Sequence, residues 1–215
     1  PREPITARLV ADMMHAAGVD RVLTMDLHAG QLQGFFGVPV DHMTALTMIA
    51  DYFKLKGLGE IVVVSPDAGG LKTAKRLADR LECSLAVLTK LRPDHNESRI
   101  MHVIGDVDGK TAIIVDDIVD TAGSLVNGAG ALVEKGAKEI YAACTHPVLS
   151  DPAYERIAGS PLKEVVVTDT IPLRAGGERA KIVVLSTAGI LADTIQNVFT
   201  DESVSELFEG DNQLF

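Results

Sequence analysis

Tryptophan is absent from this 215-residue chain, aromatic residues make up only 4% of it, and cysteine occurs twice. Cys83 and Cys144 lie far apart in apolar sequence with no CxxC spacing. That argues against a disulfide framework or a zinc site and reads as two buried thiols in a reducing compartment. No long basic run occurs, and 20 Lys and Arg stand against 30 Asp and Glu for a net charge of −10. Broad binding to nucleic acid or to an acidic membrane surface is thereby argued against, although a local group such as LTKLRP still suits a small anion. The sequence has no secretory h-region and no apolar run of membrane-spanning length, so a cytoplasmic location is expected. A GxxxxGK[ST] phosphate loop, an internal repeat and a low-complexity segment are all missing as well.

What is present fits a packed α/β protein, with 47% hydrophobic and 23% charged residues and a length that allows one substantial core or two modest ones. The opening PREPITARLV carries no initiator Met and enters a helical pattern at once; the expectation is that sequence has been removed upstream. Ile5, Leu9, Met13 and Ala17 recur at four-residue spacing between Pro4 and Gly18, the pattern of an amphipathic helix. RVLTMDLH then reads as a strand, LTMIADYFKLKG as a helix and IVVVSP as a fully buried strand. The alternation continues with helix 70–81, strand 84–90, strand 111–116, helix 123–135, strand 139–145, strands near 164–168 and 181–186, and a helix near 188–199. Continuous Val and Ile runs separated by helices predict a parallel sheet with helices on both faces. In such sheets ligands bind beyond the carboxyl ends of the strands, which singles out SPDAGG, TKLRPDHNESR, DDIVDTAGS and THPVLS.

DDIVDTAGS stands at a strand-to-helix junction, where backbone N–H groups and the helix dipole favour an anion. Thr121 and Ser124 add hydroxyls, and Gly123 lets the backbone approach a phosphate closely. Asp116 and Asp117 would repel that phosphate, so a ligand that satisfies both halves carries hydroxyls for the acids and a phosphate for the turn. A ribose 5-phosphate has this polarity; the plain alternative is a helix cap with two solvated acids. In SPDAGG, Asp67 is placed to orient a sugar hydroxyl or a metal-bound water, or simply to form a turn. Lys90 and Arg92 fall on one side of a continuing strand, suited to charge developing on a transferring phosphoryl group or to a solvated basic turn. Asp26 and His28 have the i, i+2 spacing that lets a carboxylate and an imidazole share a divalent ion. GFFG looks exposed and in need of another surface, whereas His15, His42, His95, His102 and His146 read as structural or surface residues.

TMDLHAGQLQGFFGVPVDH, VVVSPDAGG, TKLRP, AIIVDDIVDTAGS and CTHPVLS…ERI, in that order and followed by ESVSELF, resemble the ribose-phosphate pyrophosphokinases, also called phosphoribosyl pyrophosphate synthetases. VDDIVDTAG alone would admit any type I phosphoribosyltransferase, but DLHAGQLQGFFG is far more specific. The resemblance implies a type I phosphoribosyltransferase-like α/β fold and a Mg²⁺-dependent enzyme. Such an enzyme moves the diphosphoryl group of ATP to the 1-hydroxyl of ribose 5-phosphate, and its protomers form dimers and hexamers. It implies that Asp67, Asp116, Asp117, Asp120, Thr121, Ala122, Gly123 and Ser124 bind ribose 5-phosphate, that Arg2 and His28 contact ATP, and that Asp26, His28 and Asp67 serve the metal. Lys90 and Arg92 would stabilise the transition state. Domains implied are a remnant of an N-terminal phosphoribosyltransferase-like domain at 1–43, a C-terminal one at 44–195, and a segment at 196–215 that packs back on the first.

Departures from the family pattern are Gly37 where an acid is usual, Ser124 where Thr is common, and the lack of most of a first domain. The expectation is therefore that these residues alone bind ribose 5-phosphate without forming the diphosphate product. The alternatives are a phosphoribosyltransferase, which would not need DLHAGQLQGFF, and a non-catalytic regulatory subunit of the synthetase family, which would be expected to lose catalytic loop residues.

Overall fold

A computed structural model describes residues 5–90, 101–175 and 180–210, with the backbone alone described for Lys90. Two compact units divide the chain: Pro1–Ala45 together with Gly189–Phe215, and Leu46–Ala188. Among the described residues no helix is long and apolar enough to cross a membrane.

The larger unit is built on a seven-stranded sheet in the order β5-β4-β3-β6-β7-β8-β9. Its strands are β3 (Ile61–Ser65), β4 (Ser84–Lys90), β5 (Met101–Ile104), β6 (Thr111–Val119), β7 (Glu139–Pro147), β8 (Glu164–Thr168) and β9 (Ile182–Leu185). All neighbours are parallel except β4 and β5, which pair antiparallel from Val87–Ile104 to Lys90–Met101. Helices α2 (Leu46–Lys56), α3 (Leu71–Arg80), α4 (Gly123–Glu134) and α5 (Ala153–Ala158) cover the two faces. The continuous apolar runs follow from that double cover: Val62, Val63 and Val64, Ile113 and Ile114, and Val165, Val166 and Val167 are all buried, as expected of strands packed on both sides.

Alternate residues sort to the two faces. Val62, Val64, Ala112, Ile114, Ala142 and Val165 share one cluster with Leu125, Ala129 and Leu132 of α4 and Ile157 of α5. On the other face Tyr141 meets Phe53 of α2 edge to face, with ring centroids 6.1 Å apart. Helix α2 is tied to the start of β8 by the Tyr52 hydroxyl and Lys56 Nζ, which both donate to the Glu164 carboxylate, the latter at 2.9 Å. Parallel crossovers run from β3 through α3 to β4 in one direction along the sheet and from β6 through α4 to β7 in the other. The carboxyl ends of β3 and β6 therefore flank the point where the winding reverses, the usual ligand crevice of an open α/β sheet.

The smaller unit contains α1 (Thr6–Ala16), a two-stranded parallel sheet of β1 (Val22–Met25) and β2 (Val40–Met43), a 3-10 turn at Gly30–Phe35, α6 (Ala188–Phe199, all but its first residue) and a 3-10 turn at Ser205–Phe208. Met43, Val204 and Phe208 form its buried centre, with Leu23, Met25, Ile190, Leu191 and Val198 packed around them. Helix α1 forms as its spacing predicts, yet Ile5, Leu9 and Met13 lie exposed and Ala11 is its buried residue.

Four sequence expectations need correction. Strands β2 and β5 and helix α5 are additional, being too short for a periodic signal. β6 continues through Asp116 and Asp117 to Val119, so the acids belong to the strand and not to a loop after it. Phe35 and Phe36 are half-buried rather than exposed. Cys144 is buried, with its thiol pKa pushed up by desolvation, but Cys83 is only partly covered.

Candidate ribose phosphate site

Asp116 and Asp117 lie where β6 has outrun β3. The last β3–β6 pair is Val64–Ile114, while pairing with β7 goes on through Asp116–Cys144 to Val119–Pro147. One side of the strand is thus left open at the crevice, and both carboxyl groups are half-buried there. The Asp117 backbone N–H donates to Asp116 Oδ1 at 2.9 Å. Burial pushes the Asp116 pKa up to about 7, helped by a hydrogen bond with the Asp117 side chain and by the negative charges of Asp117 and Asp67. With its pKa raised, Asp116 can offer a proton to donate as well as oxygens that accept, which matches neighbouring hydroxyls that both give and take hydrogen bonds.

Asp67 follows β3 at the exposed tip of SPDAGG. Its Oδ1 accepts the backbone N–H groups of Gly69 at 2.8 Å and Gly70 at 3.1 Å, and its carbonyl accepts the Ser65 hydroxyl at 2.7 Å. The turn-forming role is therefore real, and the carboxylate also stands close enough to Asp116 to raise that group's pKa.

The turn from Asp120 to Ser124 opens α4. Ala122 is its N-terminal residue at φ +57° and ψ 7°, a left-handed conformation that costs a non-glycine residue roughly 1–2 kcal/mol. Its methyl is buried in the core and its carbonyl accepts the Val126 N–H at 3.0 Å. No side chain caps the helix, so the first-turn N–H groups keep the arrangement suited to an anion. A residue without an assigned role joins this turn: Arg156 of α5 donates from Nη1 to the Thr121 carbonyl at 2.9 Å. Sequence spacing could not pair them, because β7 and the loop after it intervene.

The remaining candidates lie elsewhere or outside the description. Lys90 ends β4 opposite Met101, its side chain undescribed, and Arg2 and Arg92 fall outside the described residues. In the smaller unit, β1 stops at Met25, so Asp26 and His28 do not share a strand face as their spacing suggested. Asp26 has φ +40°, and its Oδ2 accepts the Ala45 N–H at 2.9 Å, while His28 is exposed. His42 is buried and accepts the Leu27 N–H at Nε2, 3.2 Å away, in keeping with a structural role.

Among the described residues no three His, Cys, Asp or Glu side chains form a group that would hold a metal unaided. Crowded carboxyls at Asp67, Asp116 and Asp117 nonetheless suit a hard cation, whose positive charge would work against the burial and the neighbouring negative charges that raise the Asp116 pKa. Mg²⁺ is commonly held by one or two carboxylates with substrate phosphates completing the shell.

The phosphoribosyl synthetase-associated domain family matches residues 93–209, more than half of the chain. Over 210 residues the sequence is 53% identical to a ribose-phosphate pyrophosphokinase of Fusobacterium nucleatum, a match that covers 97% of this chain and 66% of the relative. The chain belongs to the ribose-phosphate pyrophosphokinase family. The family member of Bacillus caldolyticus is likewise 53% identical, over 97% of this chain and 66% of its own length. The crystal structure of phosphoribosylpyrophosphate synthetase from Mycobacterium smegmatis superposes with a TM-score of 0.87 at 44% identity, covering 94% of this chain and 66% of that one. The chain thus spans just under two thirds of the length of these family members. Asp116, Asp117, the Asp120–Ser124 turn and Arg156 all lie within the matched residues 93–209.

Proposed function

We propose that this chain carries the ribose 5-phosphate site of a Mg²⁺-dependent enzyme that transfers the diphosphoryl group of ATP to the 1-hydroxyl of ribose 5-phosphate. The products are 5-phosphoribosyl 1-diphosphate, for nucleotide biosynthesis, and AMP, made in the cytoplasm by an oligomer of dimer to hexamer size. One observation carries the reading: two adjacent half-buried carboxyls stand at the open end of β6, just ahead of a helix start that no side chain caps.

Asp116 and Asp117 engage the ribose hydroxyls, Asp67 assists at the ribose–metal side, and the Asp120–Ser124 turn takes the 5-phosphate on its N–H and hydroxyl groups. Asp26 and His28 serve the ATP–metal side, with Arg2 on the nucleotide. Bound Mg²⁺ would offset the charge of the nucleotide phosphates. The 1-hydroxyl oxygen forms a bond to the β-phosphorus as the bond from that phosphorus to the α,β-bridging oxygen breaks. AMP departs with the bridging oxygen, and the hydroxyl proton is released. In-line transfer depends on positioning and charge neutralisation rather than on a covalent nucleophile, and Lys90 and Arg92 supply cations for the developing charge.

The test is ATP-dependent formation of 5-phosphoribosyl 1-diphosphate with equal AMP by the active enzyme containing these residues. Lys90→Ala is expected to lower kcat by orders of magnitude with little change in KM, the signature of an interaction made only in the transition state. A variant that loses mainly KM would remove Lys90 from that role, and ATP cleavage without the ribosyl product would overturn the reaction.

A further inference from the structure

The phosphate turn has a charge problem. Asp120 belongs to it and Asp116 and Asp117 precede it on β6, with Asp67 near Asp116, so a phosphate dianion seated on the helix start has several carboxyl groups around it. The partial positive charge of a helix terminus, roughly half an elementary charge, is a weak answer to them. Arg156 reaches the turn from α5. Its Nη1 lies 2.9 Å from the Thr121 carbonyl oxygen and 3.3 Å from where a Cβ on Gly123 would stand. A side chain at Gly123 would crowd the guanidinium where it lies against the helix start. The Arg156 side chain is exposed, and among the described residues its hydrogen bond goes to a carbonyl and not to a carboxylate.

A guanidinium has five N–H donors in a planar fork. The bond to Thr121 uses one of them, at the nitrogen that lies against Gly123. We propose that Arg156 determines phosphate specificity at this site: it braces the turn through the Thr121 carbonyl and meets the 5-phosphate with its remaining donors. The assignment rests on the ribose 5-phosphate reading above and adds to it the cation that discriminates a phosphorylated sugar from a free one.

Ligand-observed NMR titrations of the chain with ribose 5-phosphate and with ribose test this, using the unaltered protein, Arg156→Ala, Arg156→Gln and Arg156→Lys, with folding checked by circular dichroism. Arg156→Ala and Arg156→Gln are each expected to weaken ribose 5-phosphate binding about tenfold or more, the scale of one charge-assisted hydrogen bond. Ribose affinity should stay unchanged, and Arg156→Lys should recover part of the loss. Because Gln carries no charge, full affinity in Arg156→Gln would show that the guanidinium charge does not meet the phosphate and overturn the proposal. Equal losses for both ligands would overturn it too, as the mark of a turn that has merely deformed. If the unaltered chain bound no ribose 5-phosphate, the underlying reading would fall and this assignment with it. Binding that all three variants retain would remove Arg156 alone.

Discussion

Asp116 shows how one residue couples stability to readiness for a ligand. Its carboxyl titrates near 3.8 when unperturbed and at about 7 in the fold, chiefly through burial. The folded pKa is the higher one, so between these values the folded state holds a proton that the unfolded state has released. Its stabilising contribution is complete below about pH 4 and is lost as pH rises through 7. Asp116→Asn is permanently neutral and escapes that loss. Without added divalent cation, urea denaturation should find the two proteins equally stable near pH 4 and the variant more stable by about 1–3 kcal/mol at pH 8, after allowance for solvent screening at a half-buried site. A constant difference across that range would contradict the assigned pKa. The acid pair and the small-residue turn were legible in the sequence because adjacent residues carry them. Arg156 was not, since its contact with Thr121 exists only once α5 has packed. Nor was the bond from the Ala45 N–H to Asp26, which depends on a left-handed backbone at the end of β1.

At the scale of elements, the site depends on α4 lying firmly between β6 and β7. The far end of that helix stops at Gly136, at φ +86°, whose N–H reaches the Val133 carbonyl at 3.0 Å while the Ala137 N–H reaches Leu132 at 3.0 Å. A Cβ there would stand 2.0 Å from Asp108 Oδ1. Gly136→Ala should therefore cost roughly 1–3 kcal/mol of stability from the left-handed backbone and the displaced carboxylate. Ribose 5-phosphate affinity should be unchanged, because a 12-residue helix places the two ends about 18 Å apart. Chemical denaturation together with a ligand titration separates the two effects, and a matching loss of affinity would show that the turn is not independent of the helix end. The main strands and helices were readable from Val and Ile runs and from helical spacing. β5 was not: four residues with alternating burial at a sheet edge, paired antiparallel, carry too little periodicity to stand out from the polar stretch before them.

Across the whole molecule, every group assigned to ribose 5-phosphate, from Asp67 through the turn to Arg156, falls within the unit Leu46–Ala188. Asp26 and His28, assigned to ATP and metal, belong to the other unit. The central claim is that the junction of β6 and α4 binds a phosphorylated pentose at both ends, hydroxyls on the acids and phosphate on the turn. Calorimetric titration of the chain and its Asp117→Ala variant with ribose 5-phosphate, ribose and inorganic phosphate tests it most directly. The account predicts tighter binding of ribose 5-phosphate than of either part. It also predicts a loss of about 1–3 kcal/mol in Asp117→Ala, the scale for a ligand hydroxyl left without its partner, and no change in phosphate binding. Ribose 5-phosphate held no more tightly than phosphate, or held equally by Asp117→Ala, would contradict it.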